Sequence, residues 1–207
     1  MKCRLYISVL LALVLALTVD GQQVPVTSQY LTNGLVINPA YAGTREALSA
    51  NLSYRKQWAR ISGAPQFQTL SLHSPVNRKE KVSLGLMADY LTYGVTKDVG
   101  IYAFYAYSVR LGRGKLSMGL KGGLDLSNTN YNRLQFPDGN PADPLLTGDM
   151  KYTLPNMGVG FYYYTDKYFA GLSIPSLLTY KRDETDQFRV SPDYSLFRTY
   201  LTAGTLI

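Results

Sequence analysis

The stretch KLSMGLKGGLDLSN, residues 115–128, decides the class of fold. Leu116, Met118, Leu120, Leu124 and Leu126 fall at even positions; Ser117, Gly119, Lys121, Gly123, Asp125 and Ser127 fall at odd ones. A helix would scramble the two sets, whereas a strand, with a side-chain period of two, sends them to opposite faces. One face is then apolar and the other small and polar.

The alternation extends along the chain. Residues 99–111 align Ile101, Ala103, Tyr105, Tyr107, Val109 and Leu111 on one face. Residues 82–90 set Val82, Leu84, Leu86, Ala88 and Tyr90 against Ser83, Gly85, Met87 and Asp89. Residues 48–54, 157–163 and 168–174 repeat the pattern, and 66–74 and 197–207 carry it more weakly. About eight strands are expected, with no helix after the N-terminal leader. Gly112-Arg113-Gly114 reads as a tight hairpin turn and Thr165-Asp166-Lys167 as another short link. Residues 129–155 hold Pro137-Asp138-Gly139-Asn140-Pro141, Asp143-Pro144 and Pro155, and are expected to be one long loop. Short turns at one end and long loops at the other fit a transmembrane barrel.

Composition agrees with a lipid-facing sheet. Charged residues are only 17% of the chain, too few to coat the exposed face of a soluble sandwich. The aromatic residues are 18 Tyr, 7 Phe and 1 Trp, so rings with an apolar body and a wet tip dominate. Tyr90, Tyr93, Tyr102, Tyr131, Tyr152, Tyr168 and Tyr180 are read as lying near strand ends, where a membrane-interface girdle would put them. The fold class expected is all-β, an antiparallel transmembrane β-barrel; a soluble tyrosine-rich sandwich is the alternative.

The chain opens MKCRLYISVLLALVLALTVDGQQ, with a basic start, an apolar run from Leu5 to Val19 and compact residues before Gln22. This is the pattern of a secretory signal peptide over residues 1–21. Its apolar run is shorter than the roughly 20 residues of a membrane-spanning helix. The single cysteine, Cys3, precedes that run, which argues against a lipoprotein anchor. Removing Lys2, Arg4 and Asp20 from 21 basic and 14 acidic residues leaves 19 and 13, a formal charge of +6. The mature chain would hold no cysteine, which excludes a disulfide framework, thiolate chemistry and a zinc–cysteine site. Its basic residues are scattered or sit in turns, so no nucleic-acid partner is expected. Anionic lipid headgroups are the more economical partner for an exported chain, and plain solvated loops are the favoured reading of these basic turns.

No catalytic constellation emerges. The one histidine, His73, shares a strand face with Ser71, but a lone histidine near a strand end is the simpler reading. Asp138, Asp143 and Asp149 gather in the long loop without the ligand spacing of a calcium site, and Asx turns account for them. Lys181-Arg182-Asp183-Glu184-Thr185-Asp186 reads as a solvated loop. No cofactor or metal is expected.

Between leader and barrel, residues 22–46 are irregular yet apolar. Gln29-Tyr30, Asn33 and Ile37-Asn38-Pro39-Ala40-Tyr41-Ala42-Gly43 occur in order, followed by Arg55-Lys56-Gln57-Trp58 and Gly63-Ala64-Pro65 ahead of a strand ending in Ser74-Pro75. Later come Leu154-Pro155-Asn156, Gly158 and Gly160, then Tyr168, Gly171, Ser173 and Pro175. This ordered set resembles the PorP/SprF family of type IX secretion membrane proteins of the Bacteroidetes.

The resemblance implies a non-enzymatic outer-membrane barrel of about fourteen strands, of which residues 47–207 would supply about eight. It implies a role in export or surface anchoring of proteins with C-terminal sorting domains, such as gliding adhesins. The partners would be other secretion components, a client protein and outer-membrane lipid. On that comparison the chain stops at Ile207 inside a strand without its neighbour, as a C-terminally shortened barrel would. The motif residues are expected to serve structure or partner docking. Residues 37–43 are expected in the periplasmic mouth or lumen, covering Ile37 and Tyr41, with Asn38-Pro39 setting a turn and Gly43 freeing the backbone to enter the first strand. An outer-membrane channel for hydrophobic small molecules, similar to fatty-acid porins, is the alternative function; a soluble adhesin is a weaker one.

Overall fold

The computed structural model describes residues 32–58, 60–76, 81–131, 149–182, 188–191 and 197–205. The leader at 1–21, Gln29, Tyr30, Asp138, Asp143 and the acidic part of the 181–186 run lie outside the described residues.

Two short 3-10 turns, Gly34–Val36 and Pro39–Tyr41, precede the strands. The strands are β1 (Ser49–Lys56), β2 (Gln66–Pro75), β3 (Val82–Tyr93), β4 (Thr96–Leu111), β5 (Gly114–Asn130), β6 (Asp149–Tyr164) and β7 (Tyr168–Ile174), then β8 (Thr179–Arg182), β9 (Phe188–Ser191) and β10 (Tyr200–Thr205). Among the described residues, β1 to β7 form an antiparallel meander with β10 beside β7, and β8 pairs with β9 as a separate hairpin. The eight-stranded sheet is curled like half of a barrel. Lys181 and Arg182, expected in a loop, instead belong to β8.

The register arranges the apolar residues in rows across the outer, convex face. Leu52, Leu70, Ala88, Ile101, Leu124 and Pro155 form one continuous cross-strand row. These side chains are exposed, Leu52 at 77% and Ile101 at 57%, which water would disfavour and hydrocarbon would not. Along β5 the outward apolar positions run from Leu116 to Leu126, ten residue steps. At about 3.3 Å per residue and a tilt of about 40° this is a band about 25 Å tall, the height a transmembrane barrel presents to lipid. The opposite, concave face carries serine, glycine and a few charges, several of them buried.

Three expectations need correction. Residues 149–155 are strand, not loop, so Asp149 opens β6 and Pro155 lies within it. β7 stops at Ile174, opposite Val159, so among the described strands the ladder partner of Pro155 is Leu124 of β5. A proline without an N–H is tolerated at an edge of the ladder. Tyr102 is not a strand-end ring. It sits in the middle of β4 facing inward and is 7% exposed.

Apart from the two-residue β3–β4 turn at Gly94-Val95, the connections sort by end. At the end where β2, β4 and β6 finish, the links are short, as at Gly112-Arg113 (Gly112 φ +59°) and at 165–167, where the Thr165 hydroxyl accepts from the Lys167 and Tyr168 N–H groups. The longer connections 57–65, 131–148 and 175–199 all lie at the other end.

Placing a charge in the middle of the apolar rows tests the lipid-facing assignment. Leu124→Arg is expected to destabilise the protein in vesicles by about 2–4 kcal/mol, measured by equilibrium urea unfolding. A change near zero would put Leu124 outside the hydrocarbon.

Candidate functional site

The irregular segment before β1 folds back onto the concave wall near the short-turn end. The register prepares its seat. Ser83, Ala106, Gly119, Gly160 and Ser173 are aligned neighbours on β3, β4, β5, β6 and β7, and each is small. Together they make a trough across the wall, and residues 37–43 follow it from β7 towards β3.

The Ser173 hydroxyl donates to the Ile37 carbonyl at 2.6 Å. Asn38, 3% exposed, uses both ends of its amide. Its Oδ1 accepts from the Ala40 N–H at 2.9 Å, capping the second 3-10 turn, and its Nδ2 donates to the Phe161 carbonyl of β6 at 3.0 Å. Pro39 occupies the first position of that turn, where its missing N–H costs nothing. At Gly119 a Cβ would overlap the backbone of Pro39 and Ala40, and at Gly160 it would overlap the Asn38 amide. At Gly119 the approach is backbone against backbone and at Gly160 it is the Asn38 amide against backbone; neither leaves room for a Cβ.

At the far end of the trough the chain leaves through Gly43, at φ +74°. A Cβ there would run into the Ser83 side chain. The Gly43 N–H donates to His73 Nδ1 at 3.0 Å. His73, 6% exposed, is thus a receptor for the segment, set on the inner face of β2. The Tyr41 ring meets His73 and Tyr162 edge-on, at centroid distances of 5.8 and 5.6 Å, and Tyr162 stacks on Phe169. Leu35 and Ala42 complete a small core with Met87, Tyr102, Phe104 and Ala106, and Val36 and Tyr41 pack against it. Fully burying a leucine such as Leu35 contributes about 2 kcal/mol. At the rim, Arg45 donates to the Thr32 carbonyl at 3.0 Å, and Lys115 of β5 forms an ion pair with Glu46.

Above the trough, towards the long connections, the concave wall holds a polar network. The Tyr102 hydroxyl donates to Asp125, Asn156 Nδ2 donates to Asp125 Oδ2 at 2.8 Å, and Lys121 Nζ lies 4.1 Å from the Tyr102 ring centroid. Ser127 donates to Asp98 at 2.5 Å, and the Thr96 and Thr129 hydroxyls lie 3.0 Å apart. These groups partner one another within the wall, apart from Asn156 Oδ1, which is buried without a hydrogen-bond partner. Among the described residues no set of three His, Cys, Asp or Glu is arranged to hold a metal.

The motif residues therefore divide. Asn33 (4% exposed), Ile37, Asn38, Pro39, Ala40, Tyr41 and Gly43 are brought together with Gly160 in the trough. Asn156 belongs to the polar network, and Gly158 is overlain by the Pro175 backbone. Pro155 faces outward. Arg55 lies at the long-connection end of β1, and Gln57, Trp58, Gly63, Ala64 and Pro65 form the β1–β2 connection beyond it. Sequence reading missed Gly119, Ser173, Tyr162, Phe104 and the role of His73. The alternation of glycine and serine signalled a close approach to that face, but it could not name what approached.

A curled antiparallel sheet with an apolar convex face and a glycine-lined concave face filled by its own N-terminal segment defines a membrane protein of the β-barrel type. The family model for type IX secretion system membrane protein PorP/SprF matches residues 19–207, and the chain belongs to that family. No curated protein and no solved structure matches it.

Two glycines on β5 provide an internal comparison. Gly119 lies under Ala40, whereas a Cβ at Gly122 would meet nothing within 4 Å. Gly119→Ala is expected to loosen the seated segment and speed tryptic cleavage after Arg45 about tenfold, a displacement of about 1.4 kcal/mol. Gly122→Ala should leave the cleavage rate unchanged. Equal rates in both variants would mean that the trough does not hold the segment.

Proposed function

We propose that the protein is a non-enzymatic outer-membrane component of type IX secretion, supporting export or surface anchoring of proteins with C-terminal sorting domains such as gliding adhesins. Family membership supports the secretion assignment, and one structural observation carries the mechanism: the conspicuous N-terminal motif is consumed in filling the trough at the short-turn mouth. Strands with short turns on the periplasmic side are the usual arrangement in such barrels, so the filled mouth faces the periplasm. A segment held there by Asn38, Ser173 and His73 presents a fixed rim, including Arg45 and Glu46, to periplasmic components of the machinery.

In this reading residues 37–43 are a built-in plug whose outer edge is a docking element. The protein contributes shape and a shielded wall, and the chemistry of secretion belongs to its partners. The same filling argues against a channel for hydrophobic small molecules, because the segment lies along the concave wall such a molecule would follow.

Deleting the gene tests the assignment. Surface display of proteins with C-terminal sorting domains is expected to fall at least about tenfold, and normal display would sink it. The double substitution Ile37→Ser and Tyr41→Ser removes the apolar cover of the plug, and should impair barrel assembly or partner docking. Wild-type membrane levels together with wild-type export in that variant would count against the role given to the segment.

A further inference from the structure

The outer face carries a second pattern, at the end opposite the plug. One row beyond the aromatic pair Tyr54 and Tyr90, the register aligns Lys56, Gln66, Thr92, Lys97, Asn128 and Lys151 across six consecutive strands. Every member is polar. The three lysines are exposed, and apart from Asp149 at the first position of β6 they are the charged residues at outward register positions among the described strands of the eight-stranded sheet. Lys56 and Lys97 sit immediately beyond the apolar run of their strands and Lys151 one outward position further, past Thr153; among the described residues no carboxylate forms an ion pair with any of them.

The β1–β2 connection continues this rim. It is a closed loop, with the Gln57 N–H bonded to the Pro65 carbonyl at 2.9 Å and the Ile61 N–H to the Trp58 carbonyl at 2.9 Å. It is also tied to the β3–β4 turn by the Gly94 N–H and Gly63 carbonyl at 2.8 Å. Trp58 is held at φ +54°, a left-handed conformation that is strained for a bulky residue. Its indole is nonetheless 61% exposed, as is Ile61 at 60%, with Arg60 between them. A strained, exposed tryptophan one connection away from an apolar band fits the headgroup region of a bilayer, where indole rings concentrate.

We propose that Lys56, Lys97, Lys151 and Arg60, with Trp58 seated among the headgroups, form a lipid site on the outer face that selects anionic, phosphate-bearing lipids in the long-connection leaflet. Two observations favour lipid over a protein partner. The row is continuous with the lipid-facing apolar rows, and among the described residues no ion pair with a carboxylate neutralises its cations. Lysine stems can lie along the apolar surface while the ammonium groups reach phosphate. This assigns the Arg-x-Gln-Trp and Gly-Ala-Pro landmarks to the membrane at one mouth, and leaves the plug at the other.

Trp58 is the only tryptophan in the sequence and so reports on its own surroundings. The protein is reconstituted in vesicles that mix phosphatidylcholine and phosphatidylglycerol, with one or the other lipid dibrominated, and indole quenching is measured. Brominated phosphatidylglycerol is expected to be enriched at Trp58 by about fivefold over its bulk fraction. The enrichment should fall to about onefold in the triple variant K56Q/K97Q/K151Q. Wild-type protein at about 1 M salt, where charges are screened within about 3 Å, should lose it as well, a test that needs no substitution. Equal quenching by both lipids, or an enrichment that survives both the triple variant and salt, would overturn the proposal. So would absence of quenching by either lipid, since the indole would then lie against protein or water.

Discussion

The Asn38-Pro39-Ala40 turn must lie directly on the backbone at Gly119 and Gly160, and most of what is distinctive in this structure depends on that contact. A side chain at either position would lift the Asn38-Pro39-Ala40 turn off the wall. The Asn38 amide would then lose the Phe161 carbonyl, and the Gly43 N–H would no longer reach His73. Burying a polar amide is favourable only when its hydrogen bonds are made, so the seat works as a unit. The small residues of the trough and the hydrogen-bonding residues of the segment are two halves of one device.

The concave wall solves two problems with one set of strands. Its lower part is small, so that a segment of chain can enter. Its upper part is charged, and there Asp125 accepts from Tyr102 and Asn156 while Lys121 lies over the Tyr102 ring, which makes charges tolerable inside a wall. The convex face has the opposite task of being uniformly apolar over the height of a bilayer, with lysines only beyond it. A period-two sequence lets both faces be specified independently, residue by residue.

The two groups of motif residues act at opposite mouths. The group around Asn38 and Tyr41 turns inward and shapes the short-turn end, whereas the group around Trp58 and Gly63 turns outward at the long-connection end. Their closeness in sequence, with β1 alone between them, conceals this separation. β1 carries the chain from one mouth to the other.

The eight strands of the main sheet, their faces and the lipid-exposed side, though not the β8–β9 hairpin, were legible in the sequence, because side-chain alternation is a local property fixed by the geometry of an extended chain. The tight turn at Gly112 was legible for the same reason. The extension of β6 back to Asp149 was not, because Pro155 reads locally as a breaker and only the early end of β7 makes it harmless. The inward placement of Tyr102 and the receptor role of His73 were also hidden, since each depends on a partner supplied by another strand or by the N-terminal segment. The sequence by itself determined a two-faced antiparallel sheet and marked residues 37–43 as an apolar misfit among its loops. Only the tertiary structure decided where that misfit goes, because cross-strand register alone brings five small residues from five strands into a single trough.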